Sequence, residues 1–199
     1  MKKIFCITIL FLNISCVLPN YLFENKAQTT GVDFTNGKWI LNRIEAPSSV
    51  SDELEKSAKK DFSKYLSNRL FNIVDVKNVL IKSKIEFNPS KNTLLDIKKG
   101  CNFDYFINIK AANIKTEYGS IDISPSRFKK QLQNQCYVII EVYDLNLSEI
   151  IYSQKVVATV QSPNDNSNVH FSRTQNSLIF SAYRKIIKNI NKNSIIQKK

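Results

Sequence analysis

The apolar positions of this chain change period several times, and each change marks an element. Residues 38–44 (Lys-Trp-Ile-Leu-Asn-Arg-Ile) are a short apolar and polar mix that predicts a strand. Pro47, Ser48 and Ser49 break it. Leu54, Ala58, Phe62, Tyr65, Leu66 and Leu70 then recur at helical spacing and predict an amphipathic helix over about 51–70. Ser49 or Ser51 can cap it. Asp52 and Glu53 stand in its first turn, where negative charge suits the positive end of the dipole. Lys56, Lys59, Lys60 and Lys64 lie on the opposite side, a solvated face before it is a contact face.

Phe71 to Val76 predicts a second strand directly after that helix. Val79 to Ile85 is apolar and compatible with a short helix, and Pro89 and Ser90 interrupt it. Asn92 or Thr93 can open a further short helix, Leu94 to Lys99. Gly100 falls where such a helix would end, since glycine adopts the left-handed conformation cheaply. Phe103 to Ile114 predicts a strand. Residues 116–134 are polar, carry Gly119 and Pro125, and predict a long connection with a helical turn near Phe128 to Leu132. Tyr137 to Leu145 is rich in branched and aromatic residues; with the turn 146–149 and the return Ile150 to Val160 it predicts a hairpin. Ser172 and Gln175 stand at capping-box spacing ahead of a terminal helix, whose stripe is Leu178, Ile179, Ala182, Ile186, Ile187 and Ile190. Lys185, Lys188 and Lys192 suit its negative end.

The order β-α-β-α-β-β-β-α predicts an α+β or α/β domain over 37–194. It would be a single mixed sheet of about five strands with helices packed on it, parallel in its first β-α-β unit and antiparallel in the later meander. Residues 195–199 are expected to fray. Residues 17–36 hold Pro19, Asn20, Asn25, Gln28, Thr29, Thr30 and Gly31 without a sustained period and read as a tether.

The first residues carry an address. Lys2 and Lys3 precede an apolar run of Ile4, Phe5, Ile7 and Ile9 to Leu12, too short to span a bilayer, which takes ~20 apolar residues. Ser15 and Cys16 follow. This arrangement resembles a bacterial lipoprotein signal. Ile14 and Ser15 fit the positions before the cysteine, whereas Asn13 stands where Leu is expected and Leu12 lies one place early. The resemblance implies a signal peptide over 1–15, acyl chains such as palmitate on Cys16, a lipidated tether over 16–36, and attachment in the cell envelope. Val17, in place of an Asp, leans towards the outer membrane, facing the periplasm or the surface. An ordinary cleaved leader or an uncleaved anchor are the alternatives.

Composition supports a folded domain. The chain has 199 residues, 43% of them hydrophobic, with 12 Phe and 8 Tyr, which excludes disorder throughout. The net charge of +12 falls to +10 once Lys2 and Lys3 leave with the leader. That balance would favour anionic lipid headgroups, phosphorylated glycolipid or acidic polymer. Nucleic acid is not an expected partner, because no aromatic ladder set in Arg-rich strands is present.

Candidate chemistry is sparse. Cys6 would lie in the leader, and Cys16 is the lipidation site that the resemblance implies. Cys101 and Cys136 could pair in an exported protein, but the predicted hairpin places Cys136 near Tyr118, about 50 Å along the strand from Cys101 at ~3.3 Å per residue. Both are expected to be small buried thiols. His170 is the single histidine, so a two-histidine metal site is excluded, and no oxyanion-type glycine motif accompanies either cysteine. Gly31, Gly37, Gly100 and Gly119 are too far apart to cradle a phosphate. Asp52, Glu53 and Glu55 open a helix, and Asp144 and Glu149 flank a turn, where polar residues belong. No catalytic residue, metal ligand or cofactor site is expected, and the chain does not read as an enzyme.

Gly100, Asp104, Tyr105, Phe106 and Ile107 form a "helix, Gly-x-x-x-Asp-Tyr-Phe-Ile" passage into a strand. With the element order, this resembles an envelope module: the N-terminal domain of the Tol-system β-propeller protein, the curli-secretion lipoprotein, and the lipoprotein activators of penicillin-binding proteins. The long extra segments with which curli-secretion proteins build a pore are missing. The resemblance implies a docking or assembly role, with another envelope protein or a second copy as partner and the membrane held through the lipid. Ile121, Ile123 and Phe128, in the 116–134 connection, are the candidate partner contacts; packing over the sheet edge is their other use. Gly37-Lys38-Trp39 resembles the opening of lipocalin-like lipoproteins, although helices interrupt the strands. A lipoprotein that binds lipid, glycan or a small molecule is the alternative function.

Overall fold

The computed structural model describes residues 18–25, 31–76, 84–116, 133–161 and 174–195. Two long antiparallel strands, β5 (Gln133–Asp144) and β6 (Glu149–Gln161), form the predicted hairpin, and β4 (Tyr105–Thr116) adds to β5. β2 (Trp39–Leu41) lies parallel to β4, and β3 (Leu70–Asn72) lies parallel to β2. β1 (Asn20–Asn25) runs antiparallel to β6. The six strands make one mixed sheet in the order β1-β6-β5-β4-β2-β3, an α+β fold with one more strand than expected. It is not a ligand-enclosing barrel of the lipocalin kind, because β1 and β3 are separate edges.

Alternation along the strands divides the core between the two faces of the sheet. On one face, Trp39, Leu41, Ile107, Ile109, Val138, Ile140 and Val156 meet α1 (Ser51–Leu66) and α3 (Gln175–Asn193). The helices contribute Leu54, Ala58, Phe62, Leu178, Ala182 and Ile186, the apolar stripes seen in the sequence. On the other face, Ile40, Phe106 and Tyr143 pack with Leu94 and Ile97 of α2 (Lys91–Cys101) and with Phe103 and Leu145.

Several element ends differ from the sequence reading. α1 stops at Leu66, and a 3-10 turn over Ser67–Arg69 leads straight into β3. β3 is only three residues long and turns after Asn72, so the expected strand over 71–76 is mostly turn. Val50 stands at the N-cap of α1 without a side-chain bond; Ser49 Oγ instead reaches Asn176 Oδ1 at 3.1 Å. Ser90, not Asn92 or Thr93, caps α2: its Oγ accepts from the Thr93 amide at 3.2 Å. Gly100 lies inside α2, and Asn102 takes the left-handed position at φ 53°. Asparagine tolerates that conformation, so the helix reaches past the glycine. Thr174 caps α3 by accepting from the Ser177 amide at 3.3 Å; Ser172 lies outside the described residues.

The stretch expected to be a tether contains structure. Within it, Asn20–Asn25 is β1, paired from Asn20 opposite Thr159 to Asn25 opposite Gln154. Val32 and Phe34 are buried in the main core. The Arg69 guanidinium donates to the Phe34 carbonyl at 2.5 Å and the Gly37 carbonyl at 3.2 Å, which holds 31–37 against the start of β3. Ile195, expected to open a frayed tail, is held in place, and residues 196–199 lie outside the described residues. Ile195 bridges to Asp33, its amide donating to the Val32 carbonyl at 3.0 Å and its carbonyl accepting from Phe34 at 2.9 Å. Both contacts join segments some 160 positions apart in the chain, which local periodicity does not report.

Candidate functional site

Among the described residues, β1 forms one edge of the sheet. Tyr21 and Phe23 stand opposite Ala158 and Val156, on the face that carries α3; Leu22 stands opposite Val157 on the other face. Tyr21 packs on the core, but Leu22 is 63% exposed and Phe23 42% exposed. Edge strands are usually blunted by charge, proline or a bulge. In β1 the charge is Glu24, and Lys155 on β6 takes it at 2.8 Å. Among the described residues, β1 is therefore a regular edge with exposed apolar side chains, paired on one side only. By contrast, β3 at the opposite edge is three residues long.

A polar band crosses the α2 face of the sheet. Asn42 Nδ2 donates to Asn108 Oδ1 at 2.9 Å and to the Ile85 carbonyl at 2.6 Å, while Asn42 Oδ1 accepts from the Ile85 amide. Asn108 stands opposite Glu141, and Glu141 opposite Ser153. Glu141 is 1% exposed. The Tyr143 hydroxyl donates to its Oε2 and the Ser153 hydroxyl to its Oε1 at 3.4 Å. Burial first, and then Glu141, push the Tyr143 phenol well above its ordinary range, so it stays a donor. A one-residue slip of β5 would turn Glu141 into the apolar face, so the band fixes strand register. Glu141 was missed in the sequence, where it sits within a run of β-formers; a carboxylate at an inward alternation position was the available signal.

The Asp104 passage is a joint between elements. Asp104 Oδ2 accepts from the Lys38 amide at 2.9 Å, and Oδ1 accepts from Lys98 Nζ at 2.9 Å. Lys98 also donates to the Phe103 carbonyl. One carboxylate thus ties the entry of β2 and the end of α2 to the start of β4. The Lys38 amide, followed by Lys98, holds the carboxyl below its ordinary 3.8. A depressed folded value means the contribution is fully present above pH 3.8 and is lost as acid titrates the folded carboxyl. Asp104→Asn is expected to cost about 1–2 kcal/mol at pH 7 for this partly exposed group. In urea unfolding, the gap between wild type and variant should narrow below about pH 4. A gap independent of pH would show that the charge of Asp104 is not what joins these elements.

The thiols and carboxylates weighed in the sequence have structural places. Cys101 and Cys136 are both free thiols. Cys136 stands opposite Asn113 rather than Tyr118, because the strands pair in a register with an irregularity after Asn113. Burial raises its thiol to about 12, and Cys101, which donates to the Ile97 carbonyl, is also raised by burial. Neither is a thiolate at neutral pH. Glu55 accepts from Asn72 Nδ2 at 3.0 Å, and Asp144 Oδ1 accepts from the amides of Asn146 and Leu147 at the hairpin tip. Among the described residues, no group of three or more His, Cys, Asp or Glu stands close enough to hold a metal ion. Cys16, Ile121, Ile123, Phe128 and His170 lie outside the described residues. Among the described residues no helix is long and apolar enough to cross a membrane.

No family model matches this chain, and no curated protein matches it. Solved structures with a similar course include the PelC dodecamer from Paraburkholderia phytofirmans, at 12% identity and TM-score 0.46, covering 87% of this chain and 97% of that one. Lipoprotein GNA1162 from Neisseria meningitidis is similar at 13% identity and TM-score 0.42, covering 77% of this chain and 99% of that one. At such identity and overlap, neither likeness assigns this chain a family or a function.

Proposed function

We propose that this chain is an exported lipoprotein, held in the cell envelope through acyl chains on Cys16, that works as a docking or assembly module without catalysis. The observation that supports docking is the apolar β1 edge, with Leu22 and Phe23 exposed on a regular strand. An extended strand of a partner can add there, with backbone bonds supplying affinity and the flanking side chains selectivity. The partner is another envelope protein or a second copy of this chain. The likeness to a solved lipoprotein accords with this address but adds no weight to it. The thiols and carboxylates described above are engaged in core packing, joints between elements and a turn, which supports a binding role over a chemical one.

Two measurements test the reading. Labelled fatty acid should enter the wild-type protein in its host and fail to enter Cys16→Ser; absence of label from the wild type would remove the lipoprotein reading. A photo-crosslinking residue at position 22 should yield one defined species in the envelope, whereas the same residue at exposed position 95 on α2 should not. Phe23→Lys, introduced into the protein that carries the crosslinker at position 22, should abolish that species while leaving the thermal midpoint close to that of the unsubstituted protein, since Phe23 is exposed. Equal crosslinking from both positions would end the docking-edge reading. A co-purifying small molecule in native mass spectra would favour ligand binding instead.

A further inference from the structure

The place where β1 begins limits how the anchored domain can sit. Asn20 opens the strand four positions after Cys16, a reach of at most about 14 Å when fully extended. A lipid on Cys16 would therefore keep the start of β1 within that distance of the headgroup layer. The surface at that end is distinctive. Leu18, Pro19 and Tyr21 border a cleft of about 510 Å³ against Ser181, Arg184, Lys185 and Lys188 of α3. Leu18 is 74% exposed, and Arg184, Lys185 and Lys188 are exposed. Lys185 Nζ sits 5.0 Å from the Tyr21 ring centre and joins the helix to the strand.

The charge there is one-sided. α3 contains no acidic residue along its length. Arg184 and Lys188 also line the adjoining cleft towards α1. The carboxylate in that second cleft, Asp61, is paired with Lys64 at 2.6 Å and accepts from the Tyr183 hydroxyl. Cations beside exposed apolar side chains suit the boundary between anionic headgroups and acyl chains.

We infer that Leu18, Tyr21, Arg184, Lys185 and Lys188 form a membrane-apposition face that rests on an anionic bilayer surface. This rests on the lipoprotein reading for the anchor alone. It fixes the orientation of the domain: Leu22, on the opposite face of β1, is turned away from the side carrying α3 and remains for a partner strand.

The test uses the mature chain with Cys16→Ser, so that no acyl group contributes. Sedimentation is measured with vesicles of one part phosphatidylglycerol to two parts phosphatidylcholine, and with phosphatidylcholine alone. Binding to the anionic vesicles is expected, weakening as salt rises. R184Q/K185Q/K188Q should lower it on the order of 100-fold, from roughly fivefold per cation near such a surface. K56Q/K59Q/K60Q, which removes three exposed charges from α1, should lower it far less. Both triple variants alter exposed helix positions, so unchanged thermal midpoints confirm that they fold. Equal losses from the two variants, or equal binding to neutral vesicles, would overturn the proposal. Because the protein tested is unacylated, the vesicle result stands apart from the fatty-acid label. Label without a specific face sinks this inference alone; a specific face without label sinks the anchor.

Discussion

Trp39→Ala is expected to lower unfolding free energy by about 3–5 kcal/mol, the range for truncating a large buried aromatic side chain. Trp39 is fully buried. Its ring stacks on Tyr105 of β4 with centroids 4.3 Å apart and meets Phe34 at 5.0 Å. Its Nε1 donates to the Asn36 carbonyl at 2.9 Å. The side chain therefore joins β2, β4 and the 31–37 segment, and alanine would leave both a cavity and an unpaired carbonyl. Trp39→Phe should retain most of the packing and cost less. The protein has a single Trp, so its fluorescence vanishes in both variants; unfolding in urea is best followed by far-ultraviolet circular dichroism. A loss below about 1 kcal/mol for alanine would mean that the indole is not a core member.

The second large effect concerns the segment read from sequence as a tether. Gly31 adopts φ +83°, and a Cβ there would lie 2.1 Å from the Asn193 carbonyl oxygen and 2.4 Å from its carbon. Both obstacles are backbone at the end of α3, which cannot swing aside as a side chain would. Gly31→Ala should cost about 2–4 kcal/mol, combining left-handed strain of about 1–2 kcal/mol with the displacement of one chain from the other. If residues 31–36 were only a linker, the substitution would be neutral. Urea unfolding distinguishes the outcomes, and a midpoint equal to wild type would detach this segment from the domain.

The same residues explain how far the sequence could be read. α1 and α3 were legible because their apolar stripes repeat within a single element. The β5–β6 hairpin was legible because branched and aromatic runs flank a short polar turn. Asp104 stands out in the sequence only as part of a resemblance, which gives no hint that its side chain meets Lys38 and Lys98. Gly100 misled, because a glycine is permitted but not required at a helix end and Asn102 took that position. β1 is not legible because the strand has only six residues and is polar at both ends.

Local pattern alone determined the hairpin and the two long amphipathic helices, since each repeats within one element or across one short turn; the parallel start of the sheet, where Trp39 pairs with Leu70 and Tyr105, followed instead from the β-α-β order of the elements. Tertiary structure decided the sixth strand, the anchoring of Gly31 and Ile195, and the burial of Glu141. Those outcomes depend on contacts such as Leu22 opposite Val157 and Asn108 opposite Glu141, whose pairing energy appears only once distant segments are already side by side.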